Sequence, residues 1–131
     1  MPRGQIIYRD RSRQINDFMG LQYGNITPTD IDGLIEYHNK AYVFIEMKYG
    51  NTKLPTGQKI ALERLNNDLT KSGKPTITII GTHQEVNPAK DINVANTLVK
   101  EYYTNRHWYN ASLNLTVKKL IDSFLEGVNH A

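Results

Sequence analysis

Two short β-forming runs constrain this chain more than any other part of it. Asp32-Gly-Leu-Ile-Glu-Tyr37 reads as a strand, His38-Asn-Lys40 as a tight turn, and Ala41-Tyr-Val-Phe-Ile-Glu-Met-Lys48 as a second strand, so the pair is expected to form a hairpin. Side chains alternate between the faces of a strand, so Glu46 and Lys48 share one face and Ile45 and Met47 the other. On the first run Asp30, Asp32, Leu34 and Glu36 have one parity, and Ile31, Gly33 and Ile35 the other. Pairing the two strands therefore brings an aspartate, a glutamate and a lysine to one face, backed by a strongly apolar one. Carboxylates held against a core need a counter-charge. An all-oxygen pair of carboxylates suits a hard cation, Mg²⁺ or Mn²⁺. The lysine can then favour deprotonation of water beside the cation or oppose negative charge developing on a phosphate.

The rest of the chain supplies a scaffold for such a hairpin. Between Thr56 and Ser72, Ala61, Leu62, Leu65 and Leu69 recur with a helical period, and Gly73 stands ready to end the helix. Positions 58, 62, 65 and 69 share a face, which turns Gln58 toward the sheet. Thr76-Ile-Thr-Ile-Ile80 reads as a buried strand and Ile92 to Tyr103 as another. Thr116 is a candidate cap for a helix carrying Val117, Leu120, Ile121, Phe124 and Leu125 on one face. At the start, a basic arm over residues 1–13 leads into a helix suggested by Ile15, Phe18 and Met19. The expected architecture is one α/β (α+β) domain over residues 1–131, a mixed central sheet flanked by helices. Its motif-bearing core spans residues 26–81, followed by a strand and the C-terminal helix in 91–131.

Size and composition agree with this. With 131 residues, 39% of them hydrophobic, the chain can build one core. Without cysteine it has neither disulfides nor thiolate metal sites. No apolar run approaches a membrane span or a signal sequence, and the reading is of a cytoplasmic protein without membrane attachment. The formal charge of +3 is small, but it is unevenly spread. From Ile26 to Glu46, Asp30, Asp32, Glu36 and Glu46 stand against Lys40, a net of −3. From Met47 to Lys74, Lys48, Lys53, Lys59, Arg64, Lys71 and Lys74 stand against Glu63 and Asp68, a net of +4. An acidic hairpin beside basic elements points to a cation-dependent site acting on a polyanion.

Other motifs fail on spacing. Asp30-x-Asp32-Gly33 opens like a calcium loop, but Leu34, Ile35 and Ala41 stand where that loop needs a ligand, a glycine and a glutamate. His38, His83, His107 and His130 lack ligand spacing. The cluster Tyr102, Tyr103, Trp108 and Tyr109 with Lys100, Arg106 and His107 can stack on bases, form the end of a core strand packed under a loop, or make a dimer contact.

Pro28-Thr-Asp30-Ile-Asp32-Gly33, a thirteen-residue interval, and Glu46-Met47-Lys48 together resemble the signature of the PD-(D/E)xK nuclease superfamily. Gln58 stands where the virus-type replication-repair and Holliday-junction-resolvase-like branches carry a glutamine. Residues 28–81 look like a small phage- or prophage-encoded member. The resemblance implies an αβββαβ core with Asp32 and Glu46 as ligands of Mg²⁺ or Mn²⁺. It also implies the Met47 carbonyl as a backbone ligand, Lys48 as the catalytic lysine and Gln58 as a further catalytic residue. Because a threonine separates Pro28 from Asp30, either Asp30 or Asp32 can be the main ligand. Asp32 is favoured because it runs directly into the apolar strand. Gln58 can also serve simply as a hydrogen-bonding residue at a helix start.

The expected function is hydrolysis of DNA phosphodiesters, selective for junctions, flaps or single strands, in phage replication, recombination or repair. An endonuclease is expected rather than an exonuclease. RNA remains open as a substrate, and resolvase-like action would favour a homodimer. Arg9, Arg11, Arg13, Lys53, Lys59 and Arg106 are the candidate contacts to nucleic acid. The alternative is a non-catalytic nucleic-acid-binding or inhibitor protein that keeps the nuclease fold.

Overall fold

The computed structural model describes residues 3–12 and 14–131, without the side chain of Ser12. The chain divides into two units, residues 1–30 and 31–131. Among the described residues of the first, the regular elements are a four-residue helix, α1 (Arg9–Ser12), and a single bridge between Tyr23 and Ile26 around a turn at Gly24. The helix expected over Ile15 to Met19 does not form. The Asp17 carboxylate accepts the Met19 N–H at 3.1 Å, a local bond that competes with helix formation, and Leu21 N–H turns back to the Phe18 carbonyl.

The second unit contains the sheet. The hairpin forms as expected, β1 (Gly33–Tyr37) antiparallel to β2 (Ala41–Tyr49), with Gly33 opposite Ile45 and Tyr37 opposite Ala41. Its turn places His38 and Asn39 at positive φ. The chain then crosses through α2 (Thr56–Lys71) to β3 (Thr76–His83), which pairs parallel to β2 with Glu46 opposite Ile80. A single 3₁₀ turn, Val94–Asn96, precedes β4 (Leu98–Thr104), antiparallel to β3, and β5 (His107–Asn110) follows antiparallel to β4. α3 (Val117–Asn129) ends the chain. The result is a mixed five-stranded sheet in the order β1-β2-β3-β4-β5. Its element order departs from αβββαβ at the start, where two strands rather than three precede the long helix among the described residues.

Three local details differ from the sequence expectation. The strand expected from Ile92 begins only at Leu98, because Thr97 closes the 3₁₀ turn with its N–H and hydroxyl on the Val94 carbonyl. β5 lies outside the strands expected from sequence; Asn105 and Arg106, both at positive φ, form the two-residue turn that creates it. In α2 the stripe toward the sheet is Gln58, Leu62 and Asn66, while Ala61 and Leu65 are exposed. The helix stops as anticipated. Gly73, at φ +95°, donates to the Thr70 carbonyl and Lys74 to that of Leu69, the paired bonds of a Schellman ending.

The two helices use opposite faces of the sheet. Val43, Ile77, Ile79 and Val99 pack with Val117 and Leu120 of α3 in a wholly apolar cluster. Thr116 caps that helix by accepting the Lys119 N–H. The α2 face is mixed. Asn66, fully buried, donates to Thr78 Oγ1 at 2.9 Å and to the Tyr103 carbonyl at 3.0 Å, and Tyr103 donates its hydroxyl to Asn67. Trp108 leans on Tyr103 and donates its indole N–H to Glu63 at 2.6 Å. The aromatic cluster is thus divided, with Tyr103 and Trp108 against α2 and Tyr102 packed toward the α3 core. This matches the packed-strand reading.

Candidate active site

On the α2 face, at the carboxyl end of β2, the hairpin register does what strand parity requires. Glu46 and Lys48 point to the same side, with Lys48 Nζ 3.5 Å from Glu46 Oε1. Asp32 stands at the mouth of β1, one residue before its first ladder pair, and its Oδ2 accepts the Met47 N–H at 2.7 Å. The N–H and C=O of one strand residue share a side, so the Met47 carbonyl opens toward the same edge. The Met47 side chain is carried to the opposite face. There the space at Gly81 is filled by its sulfur, 2.6 Å from where a Cβ would stand. That close approach explains a glycine in the middle of an otherwise isoleucine-rich strand.

Glu46 is only 4% exposed and lies among Phe44 and Ile80. Burial pushes its carboxyl pKa above the usual glutamate range, and the neighbouring Asp32 carboxylate adds to the rise. A side-chain hydrogen bond from Gln58, the Lys48 ammonium and the Asp32 backbone N–H act in the other direction. Among the described residues Glu46 Oε2 is buried without a hydrogen-bond partner. A carboxylate oxygen so placed is costly unless something positive completes its surroundings.

Asp32, Glu46, Met47, Lys48 and Gln58 are therefore neighbours, and Gln58 reaches the site from the first turn of α2. The N-cap residue of α2, Pro55, supplies no side-chain cap and the first turn has no acid, so the positive end of the helix is left to the site. Asp30 is exposed and ends the first unit, whereas Asp32, Glu46, Met47, Lys48 and Gln58 belong to the second. As a cation site the constellation offers two carboxylates and a carbonyl. Among the described residues there is no group of three or more His, Cys, Asp or Glu arranged to hold a metal. The unpartnered Glu46 oxygen beside a second carboxylate nonetheless fits a hard cation that keeps part of its water.

The candidate nucleic-acid contacts separate. Lys53, in the loop after β2, and Lys59, on α2, line a groove of about 300 Å³ with Lys100 and Glu101 from β4 and Ile80 from β3. Lys59 Nζ lies 5.2 Å over the Trp108 ring. Arg106 does not belong with them. It sits in the β4–β5 turn, beyond Thr104, whose hydroxyl donates to the Thr76 carbonyl at the far end of β3. Thr76 is roughly 13 Å along the strand from Ile80. Arg9 and Arg11 lie in α1 of the first unit, with Arg11 over the Tyr8 ring at 5.3 Å, and Arg13 lies outside the described residues.

From sequence alone Glu101 has no role in the site, and Lys100 belongs only with the aromatics. Their placement depends on a β-bulge. Ile80 pairs with Glu101 but Gly81 with Val99, so Lys100 is an extra residue. The slip sends Val99 into the α3 core and Glu101 to the α2 face. Without it, Val99 and Glu101 would share a face.

Among the described residues no helix is long and apolar enough to cross a membrane. No family model, curated protein or solved structure matches the chain.

Proposed function

We propose that this chain is a metal-dependent nuclease that hydrolyses DNA phosphodiester bonds. The observation that carries the reading is the buried Glu46 oxygen without a partner, set beside Asp32, Lys48 and Gln58. A closed Glu46–Lys48 ion pair would serve structure alone, but it leaves that oxygen bare. Asp32, Glu46 and the Met47 carbonyl would hold Mg²⁺ or Mn²⁺, which supplies Lewis acidity toward a phosphoryl oxygen and acidifies water. Lys48 brings positive charge to the point where negative charge grows on the scissile phosphate. Gln58, bonded to Glu46, orients that carboxylate.

The resemblance of Asp32, Glu46-x-Lys48 and Gln58 to the PD-(D/E)xK signature supports the same reading, with junctions, flaps or single strands as substrates in a phage context. A four-way junction would call for a homodimer, and RNA is an alternative substrate of the same chemistry. The test is a panel of duplex, single-stranded, flap and four-way DNA, plus RNA, with Mg²⁺, Mn²⁺ or EDTA. Cleavage in either metal and none in EDTA is expected. Lys48→Ala should bind DNA as wild type does and lose about 10²- to 10⁴-fold in rate. Full-rate cutting by that variant would refute the assignment, and binding without cutting by the wild type would establish the non-catalytic alternative.

A further inference from the structure

We propose that the groove between the 50–55 loop, α2 and the β4 bulge binds the sugar-phosphate backbone of a DNA strand, with Lys100 as a phosphate contact beside Lys53 and Lys59. This rests on the nuclease reading for its biological sense, while its chemistry stands on the groove itself.

Three lysines and one glutamate, Glu101, are among the residues that line a space of about 300 Å³. Lys53, Lys59 and Lys100 make no ion pair among the described residues, so their charges add in a confined concavity. The groove adjoins the carboxylate site through one strand position. Its floor residue, Ile80, lies opposite Glu46 on one side and opposite Glu101 on the other. It also lies at the carboxyl ends of the parallel pair β2 and β3, where open α/β sheets receive ligands.

Each lysine is held by a feature of the backbone or core. The loop carrying Lys53 is tied to β3, with Gly50 N–H on the His83 carbonyl and Thr82 hydroxyl on the Gly50 carbonyl. Lys59 rests over Trp108, itself fixed by Glu63. Lys100 is the inserted residue of the bulge, and a regular ladder would leave no extra residue at this point. Among the described residues no aromatic side chain lines the groove, so recognition falls on phosphates rather than on stacked bases. Such binding is independent of sequence and strongly dependent on salt.

The experiment is fluorescence anisotropy of labelled oligothymidine with the full chain in EDTA, where cleavage cannot contribute. It is followed from low to high salt, with emission from the single tryptophan as a second readout. Each of Lys53→Ala, Lys59→Ala and Lys100→Ala should lower the salt slope by about 0.7 and weaken binding about fourfold at 0.15 M salt. Lys100→Arg should restore affinity, Glu101→Gln should tighten binding, and Lys118→Ala, on α3 beside Asp122, should change nothing. DNA should alter Trp108 emission in the wild type and not in Lys59→Ala. Wild-type affinity and slope in the triple lysine variant would overturn the groove, as would failure of the wild type to bind. Cleavage that survives in that triple variant leaves the nuclease reading standing without the groove. Lysine-dependent binding with no cleavage in any metal leaves the groove standing without the nuclease.

Discussion

The same strands present two unlike faces. Toward α3 they show Val43, Ile77, Ile79 and Val99, which need only shape and apolar contact. Toward α2 they show Glu46, Thr76 and Thr78, and the helix answers with Gln58 and Asn66, so that face is held by hydrogen bonds as well as packing. A buried amide or hydroxyl is tolerated when every polar atom finds a partner. Asn66 meets that condition and Glu46 does not. The contrast teaches that a polar buried face can be ordinary structure, and that the unsatisfied atom on it is where the proposed cation would bind.

The largest stability effect is expected on the apolar face. Ile79→Ala removes a fully buried side chain and should cost about 2–5 kcal/mol in denaturant unfolding, with little effect on metal response. If that variant lost metal response while remaining folded, the two faces would not be separable in the way their contacts imply. On the polar face Asn66→Ala leaves Thr78 and the Tyr103 carbonyl without their donor and should cost about 1–3 kcal/mol. A neutral result by the same measurement would mean that the amide is replaceable by water.

Glu46→Gln should do the reverse. It removes an unfavourable charge, so melting in EDTA near neutral pH should rise slightly, whereas Mg²⁺ should stabilise only the wild type. The pH dependence has a definite sign. Burial raises the Glu46 pKa in the folded protein, so the folded state holds a proton that the unfolded chain has already released. In EDTA this contribution to stability is complete below the ordinary glutamate value of 4.5 and is lost as pH rises through the raised folded value. The variant should flatten that part of the profile, and an identical pH profile for both proteins would remove Glu46 as its source.

Much of the candidate site is legible in one dimension because it depends on local periods. A repeat of two puts Glu46 and Lys48 together and Met47 opposite them; a repeat of 3.6 puts Gln58 and Leu62 on the sheet side of α2. Periodicity does not fix the rest of that stripe. Leu65 was expected inside and Asn66 lies there, because hydrogen-bond partners on β3 and β4 outweigh the hydrophobicity of a neighbour about 100° around the helix. Arg106 was expected near nucleic acid and is carried to the far end of the sheet by a turn whose positive φ values the composition does not advertise.

What the amino-acid order determined by itself is the hairpin, its register and the gathering of Asp32, Glu46 and Lys48, since a short turn and alternation leave little else open. Tertiary structure alone decided what stands beside them. The groove joins a loop after β2, a helix and a strand some forty residues further on, and Lys100 enters it only because β4 slips by one residue against β3. Such contacts arise when distant segments settle on a shared sheet, where burying Val99 and pairing the backbone outweigh an uninterrupted ladder.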